Sequence, residues 1–277
     1  MYSDGADIEI SISSITSDSL SDGILRILVD DDDGETPDVK AFIKIDTINV
    51  GTYTKVYLSG SGTSCDLSVE VENIVSANLF AVSNYHSLAT LSPTCSVSTL
   101  IKKTSSYTSL SCYGGIGAFK VESANITPSG INTIGFGGQY DADSIINIKF
   151  QGNVNMDGIT NGYGVMLDTE SGTATHVFAD LNVVVQGSGY DRSLFVWKEP
   201  SFMTITGNVY GEKGIEINSF GNAVDASRLK VVTDDTVSIY DVSASASHIL
   251  IEGFKSNKAT GTLSASIGTA FINSSIT

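Results

Sequence analysis

Phe150-Gln-Gly-Asn-Val-Asn155 returns as Ile205-Thr-Gly-Asn-Val-Tyr210, and Val185-Gln-Gly-Ser-Gly-Tyr190 stands between them. Each copy joins an apolar residue that closes a strand to a polar residue, a glycine and a small polar residue that turns the chain. The glycines Gly152, Gly187 and Gly207 give intervals of 187 − 152 = 35 and 207 − 187 = 20 residues. A unit of two or three short strands recurring at so loose a period predicts a coil wound many times about one axis.

Working outward, apolar residues alternate with polar ones in two strand series. The first reads Ile146/Ile148/Phe150, Leu181/Val183/Val185, Met203/Ile205, Leu229/Val231 and Ile249/Ile251. The second reads Val165/Leu167, Leu194/Val196, Ile215/Ile217, Val237/Ile239 and Leu263/Ala265/Ile267. Its markers Val165, Leu194, Ile215, Val237 and Leu263 are 29, 21, 22 and 26 residues apart, a rung length with loop insertions. No comparable stretch has capped helical periodicity. An immunoglobulin-like sandwich is the structural rival, but the fixed order of the two series favours a solenoid. Residues 1–37 read as an irregular N-terminal lead-in, ending in the acidic loop Asp30-Asp-Asp-Asp-Gly-Glu-Thr-Pro37. Residues 38–277 read as the coil, most regular from about residue 117, in one domain.

Composition agrees with stacked turns. Charged residues make up 17% of the 277, below the roughly 25% usual for soluble domains, and Ser, Thr, Asn and Gly carry the polar load. The net charge of −16 argues against nucleic acid or anionic lipid as a partner. The N-terminus has neither the basic nor the apolar region of a signal peptide, and no window approaches the ~18 apolar residues of a membrane span. Cys65, Cys95 and Cys112 match no zinc spacing and read as reduced core thiols.

Residues 117–270, with Gly-Asn turns at 152–153 and 207–208, β-branched strands and a Lys/Arg-poor surface, resemble pectate-lyase-like proteins. They resemble most of all the shafts of bacteriophage tailspikes. That resemblance implies an all-β, single-stranded, right-handed parallel β-helix. It also implies a virion structural protein made without a signal peptide: a homotrimeric capsid decoration or tail appendage contacting other virion proteins. The alternative it implies is a tailspike-type protein that binds host surface polysaccharide, or cleaves it as a glycoside hydrolase or polysaccharide lyase.

Side chains between the inward ones face out, one above another at roughly 4.8 Å per rung. On the second series the outward columns read Met166, Phe195, Glu216, Ser238 and Asp168, Trp197, Asn218, Tyr240. Met166, Phe195, Trp197 and Tyr240 would thus form an exposed wall, expected to be a subunit interface or, flanked by Asp168, Glu216 and Asn218, a sugar platform. Asp168 and Glu199 are the candidate catalytic pair, at on the order of 8 Å if they lie one rung apart and two residues out of register. Asn153, Asn155, Asp157 and Asn161 echo the start of a calcium loop, but position twelve is Gly164, so a β-turn explains them better. Calcium is the one cofactor the sequence leaves open.

Overall fold

A computed structural model describes residues 7–17, 23–30, 39–51, 54–61, 65–84, 96–112, 115–127, 132–138, 144–169, 175–187, 189–197, 202–211, 213–233, 237–242, 251–252 and 263–266. They run through β1 (Ile8–Thr16), β2 (Ile24–Asp30), β3 (Val39–Asn49), β4 (Lys55–Ser61) and β5 (Cys65–Ser76). Next come β6 (Leu79–Asn84), β7 (Ser96–Thr104), β8 (Thr108–Cys112), β9 (Gly115–Ile126) and β10 (Asn132–Gly138). The middle holds β11 (Ser144–Asn155), β12 (Tyr163–Thr169), β13 (Thr175–Gln186), β14 (Arg192–Trp197) and β15 (Phe202–Gly211). Last are β16 (Ile215–Thr233), β17 (Val237–Val242), β18 (Ile251–Glu252) and β19 (Leu263–Ser266). No helix occurs among the described residues.

Every pairing among the described residues is parallel and, apart from those of β16, which spans both sheets, joins a strand to the next but one, which is the signature of a β-solenoid. The long strands β1, β3, β5, β7, β9, β11, β13, β15, the second half of β16, and β18 stack as one sheet. The shorter strands from β2 to β14, the first half of β16, β17 and β19 stack as the other. Each turn of chain visits both sheets, so the core is the column between them. Inward Ile, Val, Leu and Phe side chains fill it from β3 to β16. Phe119, Phe136 and Phe150 stack down its middle with centroids 6.4 and 6.2 Å apart.

The long strands bend without losing their inward face. In β9 the alternation runs to Val121, then Glu122 and Ser123 both face out before Ala124 returns to the core. Ser13-Ser14 does the same in β1, and Lys102-Lys103 in β7. Two outward residues in succession turn the strand around a corner of the core.

The second strand series has the predicted register: Val165 pairs with Leu194, Leu194 with Ile215, Ile215 with Val237, and Val237 with Leu263. The first series does not. Phe150 lies beside Leu181 rather than Val185, and Ile205 lies beside Ala179 rather than Val185. A slip by an even number of residues keeps every apolar side chain inward, so alternation alone could not fix this register. Gly152 and Gly207 are also not strand-ending turns: they lie inside β11 and β15, in different columns. The stack reaches back to Ile8, since β1 and β2 pair in full register with β3 and β4 inside the region expected to be a lead-in. Cys112 points into the core. The side chain of Cys65 and the whole of Cys95 lie outside the described residues.

Candidate functional site

Two outward faces carry chemistry. On the short-strand sheet, Met166 sits beside Phe195, Phe195 beside Glu216, and Asp168 beside Trp197, as the sequence predicts. Asn218 and Tyr240 are neighbours in the backbone register. The side chains of Asp168, Asn218 and Tyr240, and all of Glu199, lie outside the described residues, so the carboxylate pair has no geometry to report.

The wall is not the open surface expected. Phe195 is only 7% exposed, because Tyr163 lies over it, centroids 4.1 Å apart and planes within 8°. Trp197 extends the stack at 5.5 Å and 19°. Sequence alternation assigns Tyr163 to the core, since it lies two residues from Val165. At this corner, however, Gly164 and Val165 both face inward. A side chain on Gly164 would meet Val185 at 2.7 Å and the carbonyl of Ser193 at 2.8 Å. The inward glycine turns Tyr163 outward, onto Phe195. Nearby, Arg192 Nε lies 3.3 Å from Glu216 Oε2.

Burial under this stack holds the Tyr163 phenol above the ordinary tyrosine range, helped by the Asp191 and Glu216 carboxylates and opposed by Arg192. A raised value stabilises the fold below the unfolded tyrosine value, and that contribution is lost as pH rises through the folded one. Alkaline unfolding of the wild type should therefore show one ionisation step that Tyr163→Phe removes, read by absorbance of phenolate. Trp197 is the sole tryptophan, so its emission reports this stack alone. Phe195→Ala is expected to red-shift that emission and to cost about 3 kcal/mol in denaturant unfolding.

The second face was hidden by the register slip. Lys120, Lys149, Asp180, Thr206 and Arg228 form one outward column on the long-strand sheet. They border a groove of about 440 Å³ with Asn147, Phe178 and Thr204. Lys149 Nζ lies 3.9 Å from Asp180 Oδ2, and Thr206 Oγ1 donates to Asp180 Oδ1 at 3.5 Å. Around the corner runs an amide ladder, Gln151–Asn182–Asn208. Asn208 Nδ2 donates to Asn182 Oδ1 at 2.8 Å, and Asn182 Nδ2 to Asp180 Oδ1 at 3.5 Å. Tyr210 closes that side, with Lys230 Nζ 5.9 Å from its ring centre. Exposed Ile116, Ile145 and Phe178 form an apolar margin on the other side.

Farther toward the N-terminus, Lys102 bonds Glu72 at 2.5 Å and lies 3.3 Å from Glu70. The Lys102 hydrogen bond holds the Glu72 carboxyl below its ordinary range, and the same contact raises Lys102. Both groups are partly exposed at the surface, so the pair trims the surface of the stack.

At the calcium echo the chain turns. Asn155 Oδ1 accepts from the Asp157 backbone N–H at 3.0 Å, while Gly158 and Asn161 take positive φ angles of 81° and 60°. Among the described residues no three His, Cys, Asp or Glu side chains converge on a metal-sized space. No known protein family matches the chain, and neither a curated protein nor a solved structure shows significant similarity to it.

Proposed function

We propose that the protein is a structural β-solenoid shaft that works by rigidity and self-association, as a virion appendage or capsid decoration subunit in a homotrimer. The observation that carries this reading is the continuous parallel pairing of successive turns from β1 and β2 to β18 and β19. Each turn completes the backbone bonding of its neighbours, so the product is a stiff rod with patterned faces rather than a mobile cleft. Association of copies would use an outward face; the exposed Ile116, Ile145 and Phe178 supply the apolar area that the covered Phe195 does not. Sedimentation equilibrium should give three times the 29.1 kDa chain mass. A stable single-chain mass at micromolar concentration would overturn the reading.

A second reading, binding of host polysaccharide, is favoured by one specific observation. The groove and amide ladder of the long-strand sheet present stacked donors and acceptors along the axis, with Phe178 and Tyr210 at the margins. That suits a polar polymer lying parallel to the shaft. Arg228→Ala and Asn208→Ala are expected to weaken retention on a panel of immobilised polysaccharides about tenfold each, and Trp197→Ala to leave it unchanged. Loss of binding in Trp197→Ala alone would move the site to the other sheet.

A further inference from the structure

The apolar margin of the long-strand face is one straight column. Followed from partner to partner, Ser96, Ile116, Ile145, His176 and Phe202 lie one above another on β7, β9, β11, β13 and β15. Ile116 and Ile145 are 49% and 44% exposed, His176 is exposed and Phe202 half-buried. The His176 ring meets Phe202 edge-on, with centroids 6.1 Å apart and planes at 66°. Four rung spacings make this strip on the order of 20 Å long. In β5 and β3 the same column continues as Asp66 and Lys40, so it is uncharged from β7 to β15 and charged before that.

Symmetry restricts what can cover the strip. Around a three-fold axis parallel to the shaft, each turn meets the same turn of the other copies, and a residue beside the axis meets itself. A column at the axis must therefore tolerate like against like. The column of Lys120, Lys149, Asp180 and Arg228 does not, because each turn would set equal charges together. The column between, Ser98, Ala118, Asn147, Phe178 and Thr204, is mainly polar and from Ala118 onward lines the groove. The Ile145 column is apolar, lies at the edge of the face where the long strands begin, and matches itself.

One member of this column changes charge near neutral pH. His176 faces Ile145 and Asn147 on β11, Phe202 and Thr204 on β15, and Phe178 on its own strand, none of which titrates. The charged groups nearest on the face stand in other columns. Asp180 is four residues along β13, at about 13 Å; Lys149 is Asp180's partner one turn away; Asp225 lies two turns on, in the column of Phe178. Three neutral imidazoles fit between layers of Ile145 and Phe202. Three imidazolium ions there would lose hydration and repel one another.

We propose that three copies join in parallel along the column from Ser96 to Phe202, with their His176 side chains meeting at the axis, and that protonation of His176 separates them. This rests on the homotrimer reading and adds to it the seam and its control. The separated chain accepts the proton more readily than the trimer does. Association is therefore favoured above the ordinary histidine range, near about pH 6.5, and is lost as pH falls through it.

Sedimentation equilibrium at about pH 7.5 and about pH 5 tests this, since that interval spans histidine and leaves most carboxylates ionised. The wild type is expected at three times 29.1 kDa at the higher pH and at one chain mass at the lower. Trp197 emission, which reports the stack on Phe195, should be the same at both, showing that the separated chain is folded. His176→Gln should stay trimeric at both values, and Ile145→Lys should be a folded single chain at both. A wild type of single-chain mass at about pH 7.5 would overturn the trimer reading and this inference together. A wild type trimeric at both values, a His176→Gln variant that still separates, an Ile145→Lys variant that stays trimeric, or loss of the Trp197 signal at about pH 5 would overturn this inference alone.

Discussion

Gly207→Ala is expected to cost the fold about 3–5 kcal/mol, or to prevent accumulation of folded protein altogether. Gly207 sits inside β15 with φ at +104°, a region side chains rarely adopt. A Cβ there would also lie 2.1 Å from the Leu181 carbonyl oxygen and 2.8 Å from its carbon. Those are backbone atoms of the adjacent turn, so relief requires two stacked strands to separate. Two other glycines divide the effect. Gly158→Ala carries the positive φ with no atom within 4 Å, and is expected to cost about 1–2 kcal/mol. Gly135→Ala meets no atom within 4 Å and its φ is not positive, so it should be neutral or slightly stabilising, by under about 1 kcal/mol. Urea titrations of the three variants check the order. Equal losses at Gly207 and Gly158 would show that close approach of turns contributes nothing.

The coil itself was legible because two strand series recur in a constant order. That order survives an error in pairing. The short-strand sheet was readable to the residue, since its strands hold only two or three inward positions and few even-numbered slips are available. Val165, Leu194, Ile215 and Val237 left no other choice. The long strands gave too many choices. In β13 the inward residues Val177, Ala179, Leu181, Val183 and Val185 form one uninterrupted alternation, and Phe150 could be set beside any of them. The repeated Gly-Asn pair then pointed to the wrong alignment. Gly152 and Gly207 relieve close contacts with different partners, Ala124 and Leu181, and occupy different columns.

The register of the long strands also sets which side chains meet on their outer face. Pairing Phe150 with Val185 would set Lys149 beside Val184 and leave it no charged partner in the neighbouring turn. Beside Asp180, it becomes part of a charged groove continuous with an amide ladder. On the other sheet the columns were right, but exposure was not. Burial of Phe195 depends on Tyr163, which alternation assigns to the core. An inward glycine at a corner is indistinguishable in sequence from an outward one. Where the chain turns, period-two reasoning loses its phase, and both candidate surfaces lie beside such corners.

Phe150→Ala should cost about 3–5 kcal/mol, and its second consequence is more informative than its size. Phe150 is fully buried between the Val121 and Leu181 positions of adjacent turns, with Phe136 6.2 Å away across the core. Truncation leaves a void that the stacked backbones cannot close, because their spacing is set by the hydrogen bonds between turns. In a solenoid each turn touches only its neighbours, so the loss is borne by β9 to β13 rather than shared by the chain. Unfolding should therefore split into stages. Amide exchange is expected to accelerate most in β9, β11 and β13 while β3 and β5 keep their protection. Val75→Ala, an exposed change on the same sheet, should cost less than about 1 kcal/mol and leave the exchange pattern unaltered. A uniform rise in exchange from β1 to β17 in Phe150→Ala would mean that the shaft unfolds as one cooperative unit, and that turns communicate well beyond their nearest neighbours.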